Sequence, residues 1–362
     1  MIVETLRTVE PRSEQEVAEC LRLAHGEGTP VIPRGGGTKS GWGNPPLHAG
    51  IMLSTARLNR VIEHAWADLT VTVEAGCTIA ELQRTLALHG QRLAVDPLWP
   101  EKATVGGVLS TNDSGVLRFR YGGLRDLIIG VTLALADGTL ARSGGKVVKN
   151  VAGYDLSKLV TGAFGTLAVI TSATFRLHPL PKKTKTVTAT LSNLDQTQQL
   201  LDEILDAQLV PSAVQVRAGS GAPRIDILFE GTEEGILAQV HDLRAKASVE
   251  DTKEDVWKRL DARAKISVLP SRIAKTLDGL DGDAVVEATG IGWVQSCNLA
   301  VLRRKMEASG GTLVLMRPSK GMDAWGSSSP NLSGGALALM RAIKDNFDPR
   351  RILNPGVFVG GI

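Results

Sequence analysis

Cysteine is scarce in this chain of 362 residues. Its three cysteines, Cys20, Cys77 and Cys297, stand far apart, and no two share the spacing of a metal or redox pair. A disulfide scaffold is excluded, and a reducing cytoplasm is the expected compartment. Aromatic residues make up only 4%, too few for a base-stacking surface. Neither sign of charge dominates: 41 Lys and Arg against 38 Asp and Glu leave a net charge of +3, which argues against nucleic acid or an anionic membrane as the main partner. Long apolar runs are missing too. The longest, such as residues 128–136, fall well short of the roughly 20 residues that a membrane helix needs. Residues 1–11 carry Glu4 and Glu10 and lack an apolar core, unlike a signal peptide. Histidine is the last scarcity. His25, His48, His64, His89, His178 and His241 include no two at ligand spacing, so no metal site is expected.

What is present is 43% hydrophobic residues on a chain long enough for two or three domains. Through residue 180, short strands and helices alternate, punctuated by glycine. Ser13 and Glu16 form a capping box; Val17, Leu21 and Ala24 share one face of the helix that follows, and Gly26 and Gly28 stop it. Residues 30–33 predict a short strand. Residues 70–74 alternate, so Val71 and Val73 share a buried face. Helical spacing returns over 78–89, with Ile79, Leu82 and Leu86 inward. Residues 126–136 and 139–142, about Asp137-Gly138, predict a hairpin, and 166–177 another long strand. Pro179, Pro181, Lys182, Lys183 and Lys185 predict a solvated connector. Beyond it, strands at 186–191, 213–217 and 224–229 alternate with helices at 195–207 and 233–246. A second copy follows, with strands at 265–269, 284–288, 291–294 and 312–316 and helices at 271–280 and 295–309. The repeated β-α-β-β-α pattern predicts one antiparallel sheet covered by helices on one side. A polar loop over 319–329, a helix over 335–346 and residues 347–356 follow.

The strongest local signal is the run Pro33-Arg34-Gly35-Gly36-Gly37-Thr38-Lys39-Ser40-Gly41-Trp42-Gly43. Five glycines in nine residues directly after a strand offer closely approaching backbone N–H groups, a nest for phosphate oxygens, with Thr38, Lys39 and Ser40 beside them. A Walker A loop requires glycine immediately before Lys39, where Thr38 stands. A dinucleotide fingerprint starting at Gly35 requires glycine where Ser40 stands. A merely flexible loop is the alternative for this segment taken alone. A second cluster, residues 96–115, combines Pro97, Pro100 and Gly106-Gly107 with the short donors Thr104, Thr111, Asn112 and Ser114. A third, residues 162–170, leads from a loop into a strand. Three such segments fit a long ligand lying in a groove better than one compact phosphate.

Together with Arg120-Tyr121-Gly122, Arg125-Asp126 and Lys149-Asn150-Val151-Ala152-Gly153-Tyr154-Asp155-Leu156, these segments closely resemble FAD-linked oxidases of the vanillyl-alcohol oxidase type. Within that family the chain is most similar to FAD-binding subunits of the glycolate oxidase kind. The resemblance covers residues 1–180 strongly, and extends more weakly to the repeated region and to Asp348-Pro349 and Asn354-Pro355-Gly356. It implies an α+β protein with a two-subdomain PCMH-type FAD-binding domain over 1–180. A ferredoxin-like antiparallel-sheet cap domain over 181–318 and a C-terminal segment, 319–362, returning towards the FAD domain complete the implied order.

The same resemblance implies that Pro33, Arg34, Gly35, Gly36, Gly37, Thr38, Lys39 and Ser40 embrace the FAD pyrophosphate. Pro97, Thr104, Gly106 and Gly107 would line the flavin side, and Thr111, Asn112, Ser114 and Gly115 a second stretch of the cofactor. The segment from Phe164, with Gly165, Thr166, Val169 and Ile170, would meet the adenosine end. Members that attach flavin covalently use a histidine after the first glycine loop or a cysteine in the second. Thr38 and its neighbours occupy the first place and no cysteine the second, which implies noncovalent FAD. Related 2-hydroxy-acid dehydrogenases carry histidine clusters in the cap and C-terminal regions for a metal and for the substrate proton; here no histidine follows His241. Tyr154, Lys149, Arg120, Arg125 and Arg317 remain as polar candidates, with Tyr121 and Trp325 beside them. The implied setting is a cytoplasmic complex with a homologous catalytic FAD subunit and an iron–sulfur subunit, acting on a small hydroxy acid and touching membranes only through partners. A self-sufficient FAD oxidoreductase for another alcohol and a scaffold without cofactor are the competing expectations.

Overall fold

The computed structural model describes residues 7–48, 50–145, 153–258, 260, 262–318, 321–326 and 335–362. The motif residues Lys149 to Ala152 and much of the polar loop at 319–329 lie outside the described residues. The chain divides into two compact units, one of residues 1–115, 122–180 and 332–362 and one of residues 116–121 and 181–331.

In the first unit, Ser13 Oγ accepts from Glu16 N (3.1 Å) and so starts the helix Glu14–Glu27, which ends where Gly28 turns left-handed at φ 70°. Its Val17, Leu21 and Ala24 are buried against Val31, Leu53, Ala134, Val169 and Leu353. The strand Val31–Arg34 pairs in parallel with Ile51–Ser54, which pairs in parallel with Arg7–Val9. A second sheet is antiparallel, in the order Val61–Ala65, Thr70–Glu74, Val169–Arg176, Ile128–Ala134, Leu140–Gly144. Val71 and Val73 share a core with Ile79, Leu82 and Leu86 of the helix Ile79–Ala87 and with Val105, Val108 and Leu109 of the helix Val105–Thr111.

Two local expectations need correction, and one segment holds an element that its glycines do not announce. Residues 166–168 precede the strand Val169–Arg176 as a turn, closed by Thr166 Oγ1 donating to Ala163 O (2.6 Å). The second glycine cluster contains a helix, because Thr104 caps it and Gly106 packs against Ala75, where a Cβ would come within 2.9 Å. The expected connector is nearly absent. His178–Pro179 pairs with Gln91–Arg92, and Lys183 already opens the strand Lys183–Thr190, where Lys185 meets Asp251 at 2.8 Å.

The second unit is built on an eight-stranded sheet in which adjacent strands pair antiparallel. The order is Val249–Asp251, Lys183–Thr190, Arg224–Gly231, Ala213–Ala218, Asp283–Glu287, Ile291–Gln295, Ala264–Ser267, Thr312–Leu315. One face presents Val187, Val216, Ile225, Ile227, Phe229, Ile266, Val286 and Val294 to a core shared with Leu201, Ile204, Val240, Leu243 and Met306 of three helices. The other face sets Thr188, Asp226, Gln215 and Glu287 in register across four strands. Asp226 is fully buried there, held by Arg217 at 2.6 and 2.9 Å, Gln215 at 2.9 Å and Thr188 at 2.8 Å. That environment raises the Arg217 pKa, chiefly through the hydrogen bond to Asp226. Residues 116–121 join this unit: Phe119 packs on its core and the Tyr121 hydroxyl donates to Glu230 (2.9 Å).

Candidate cofactor site

A cavity of about 350 Å³ opens in the first unit, walled by all three glycine-bearing segments. The first wall is the turn after the strand Val31–Arg34. A Cβ on Gly35 would lie 2.0 Å from Thr104 Oγ1, and one on Gly36 would lie 1.7 Å from Lys102 O. Glycine is therefore required for the first segment to touch the second. Among the described residues, the backbone N–H groups of Gly35, Gly36, Gly37 and Thr38 donate to no protein acceptor. Four unspent donors on one concave turn suit an anionic oxygen. Arg34 lines the same cavity, and among the described residues no Asp or Glu does.

Lys39 departs from the expectation of a cation beside phosphate. Its ammonium is buried and lies 3.2 Å from Asp113 Oδ2 and 3.3 Å from Leu98 O, between the rings of Trp42 and Trp99 at 5.5 and 5.9 Å. A buried lysine needs such a counter-charge, so Lys39 stitches the first segment to the second. Ser40 Oγ donates to Gly37 O (3.1 Å), and Thr111 Oγ1 donates to Gly107 O (2.8 Å). The first-turn N–H groups of the helix Val105–Thr111 are also committed, Val105 N to Cys77 O and Gly106 N to Ala75 O. The second segment thus supplies shape at the cavity wall, while the first supplies free donors.

Of the twenty expected residues, Pro33 to Ser40, Thr104, Gly106, Gly107, Thr111, Gly165, Val169 and Ile170 line this cavity, and Pro97, Asn112, Ser114, Gly115 and Thr166 do not. The exceptions have structural duties. Asn112 ends the helix in a left-handed conformation (φ 48°), Ser114 Oγ accepts from Leu124 N (3.0 Å), and a Cβ on Gly115 would strike Asp96 at 2.0 Å. Pro97 and Thr166 are buried. Thr166 faces a separate cavity of about 340 Å³ with Arg125 and Lys158. Tyr154 is 91% exposed and lines neither cavity. Arg120, Tyr121, Arg317 and Trp325 belong to the second unit, where Arg120 Nη1 donates to Val210 O (3.1 Å).

Trp42 and Phe164, which stand in the first and third segments, also line the cavity, as do Asn354 and, unreached by sequence reasoning, Met52 and Val357. Asn354 comes from the closing segment. Its Nδ2 donates to Phe164 O (2.7 Å), and among the described residues its buried Oδ1 meets no hydrogen-bond partner. The motif Asn354-Pro355-Gly356 was a signal, but only the fold carries it to this wall. Behind it, Lys344 and Asp348 form a buried pair at 2.7 Å. Burial pulls the Lys344 pKa down and the Asp348 carboxylate pulls it back up. Removing one partner of such a pair costs about 3–5 kcal/mol.

The free N–H groups, the positive and carboxylate-free lining, and the apolar wall of Phe164, Ala168, Val169 and Ile170 fit a dinucleotide with a diphosphate and uncharged rings. Residues 5–144 match the family described as FAD binding domain, and residues 330–358 match FAD linked oxidases, C-terminal domain. The chain carries the FAD-binding domain and the C-terminal segment of the FAD-linked oxidases, and FAD is its cofactor. Over 207 residues it is 33% identical to glycolate oxidase subunit GlcD of Bacillus subtilis, covering 57% of this chain and 44% of that protein. It is 34% identical over 213 residues to D-lactate dehydrogenase of Archaeoglobus fulgidus, covering 59% and 47%. A probable mitochondrial D-lactate dehydrogenase of Danio rerio is 27% identical across 96% of this chain and 82% of its own length. The chain spans about half the length of the first curated relatives it matches. In structure it is similar to an alkyldihydroxyacetonephosphate synthase, with a TM-score of 0.71 and 18% identity over 96% of this chain and 76% of that one. The fold is thus the α+β fold with a PCMH-type FAD-binding domain.

Proposed function

We propose that this chain is the FAD-binding subunit of a glycolate-oxidase-like complex, taking part in the oxidation of a 2-hydroxy acid at its CH–OH group. The observation that carries this reading is the single cavity shared by residues 33–40, 104–111 and 164–170. Bound there, FAD would supply the acceptor of two electrons and a proton. The N–H groups of Gly35 to Thr38 and the Arg34 guanidinium would hold its diphosphate, and the apolar stretch from Phe164 to Ile170 would meet its adenosine. Among the described residues no histidine or cysteine lines the cavity, which supports noncovalent binding.

The chain's own proton-moving groups are few. Among the described residues no cluster of three or more His, Cys, Asp and Glu is placed to hold a metal ion. Among the described residues, no titratable side chain except Arg34 and the Asp113-paired Lys39 lines the cavity. With no base in this wall, the hydroxyl proton of a substrate is better taken by another subunit. That supports a relay or supporting flavin beside a homologous catalytic FAD subunit, with an iron–sulfur subunit receiving the electrons in the cytoplasm. Among the described residues no helix is long and apolar enough to cross a membrane. The test is turnover of glycolate and D-lactate with a dye acceptor. The isolated, FAD-loaded chain should show none, and the chain with its co-purified partners should turn over. Rapid turnover by the chain alone contradicts the reading.

A further inference from the structure

The closing segment of the first unit is fastened with more hydrogen bonds than a surface strap needs. Lys344, on the helix Ala336–Phe347, is 1% exposed and spends its three donors on Asp348 Oδ2 (2.7 Å), Thr166 O (2.7 Å) and Leu353 O (2.9 Å). Asp348, 0% exposed, accepts from Ile352 N (3.0 Å) and Leu353 N (2.7 Å). The segment so shaped runs beside the strand that leads into the glycine turn: Val31 N donates to Ile352 O (2.8 Å) and Asn354 N to Val31 O (3.0 Å). Its last residue then crosses to the opposite wall, where Asn354 Nδ2 meets Phe164 O. Both residues of that contact are non-glycine residues in the left-handed region, Asn354 at φ 41° and Phe164 at φ 54°. Such conformations persist only where surrounding bonds over-determine them, and they gather at binding sites. The bonds doing so here begin at Lys344.

We propose that the Lys344–Asp348 pair, acting through Asn354, is the positioning device of the Phe164–Gly165 wall of the cofactor cavity. It thereby sets how tightly the adenosine end of FAD is held. The inference rests on the FAD reading above. An ion pair kept only for helix stability would suffice on the surface, four residues apart. This one reaches from the helix to Thr166 and Leu353, which adjoin Gly165 and Asn354 of the wall, and among the described residues it hydrogen-bonds to no lining residue itself. The partnerless Oδ1 of Asn354 is an acceptor left over at the same place.

Two variants of the full chain test it. Lys344→Met keeps the length of the side chain and removes its donors. Asn354→Gly keeps a backbone at ease with positive φ and removes the amide. The dissociation constant for FAD is read by flavin fluorescence, the flavin surroundings by the visible absorption spectrum at saturating FAD, and folding by circular dichroism. Both variants should bind FAD at least about tenfold more weakly, the scale of one hydrogen bond to a ligand, with the spectrum of the bound flavin unchanged. Should Lys344→Met fail to fold, Asn354→Gly decides alone. An Asn354→Gly chain that folds and binds FAD as tightly as the parent overturns the proposal, as does an altered flavin spectrum, which would mean general damage to the site. A parent chain that takes up no FAD overturns the FAD reading itself.

Discussion

Gly36 has no room for a side chain, because a methyl group there would overlap the Lys102 carbonyl oxygen at 1.7 Å. The obstacle is backbone, so neither partner can swing aside, and Gly36→Ala must push the first segment off the second. Its expected outcome is purified protein with less than about a tenth of the parent's flavin, read by visible absorbance, and circular dichroism close to the parent's. A fully yellow Gly36→Ala protein would contradict the geometry. The glycines of this turn are legible in sequence because only glycine tolerates such an approach, and a cluster of them after a strand has few other uses. Lys39 is not legible in the same way. Its neighbours in sequence mark it as a phosphate cation, while its partner Asp113 lies far along the chain and only the fold brings the two to 3.2 Å. The contact between Asn354 and Phe164 shares that difficulty, since a single hydrogen bond between distant residues leaves no local pattern.

At the scale of elements, long amphipathic pieces are readable and short ones are not. The helix Glu14–Glu27 shows its cap, its buried face and its glycine stop. The seven-residue helix Val105–Thr111 hides behind two glycines that local propensity assigns to a loop. The edge strand Val249–Asp251, three residues long, and the half-buried Val61–Ala65 carry too little alternation to announce themselves. The hidden pairing of His178–Pro179 with Gln91–Arg92 has a measurable consequence. Burial, and then the charges of Arg176 and Arg92, lower the His178 pKa from 6.5. Below that value the unfolded chain binds a proton that the folded chain resists. The stability tied to His178 is therefore present above about pH 6.5 and lost as pH falls towards the lowered folded value. Thermal melts of His178→Gln should show a smaller drop in Tm than the parent between about pH 7 and about pH 5. Equal drops would place the titrating group elsewhere.

For the whole molecule, the chain forms two units with separate cores. The repeated β-α-β-β-α order appears as an eight-stranded antiparallel sheet with helices on its apolar face, because the period-two alternation along each strand forces one face inward. The hand-over of residues 116–121 to that second unit leaves no trace in composition, for Phe119 and Tyr121 look like any motif residues until their partners are known. The most direct measurement of the account is a titration of the apoprotein with FAD, followed by flavin fluorescence and then by acid precipitation. Uptake of one FAD per chain, with all the colour leaving in the acid supernatant, is the predicted result. A chain that stays colourless in excess FAD would contradict it.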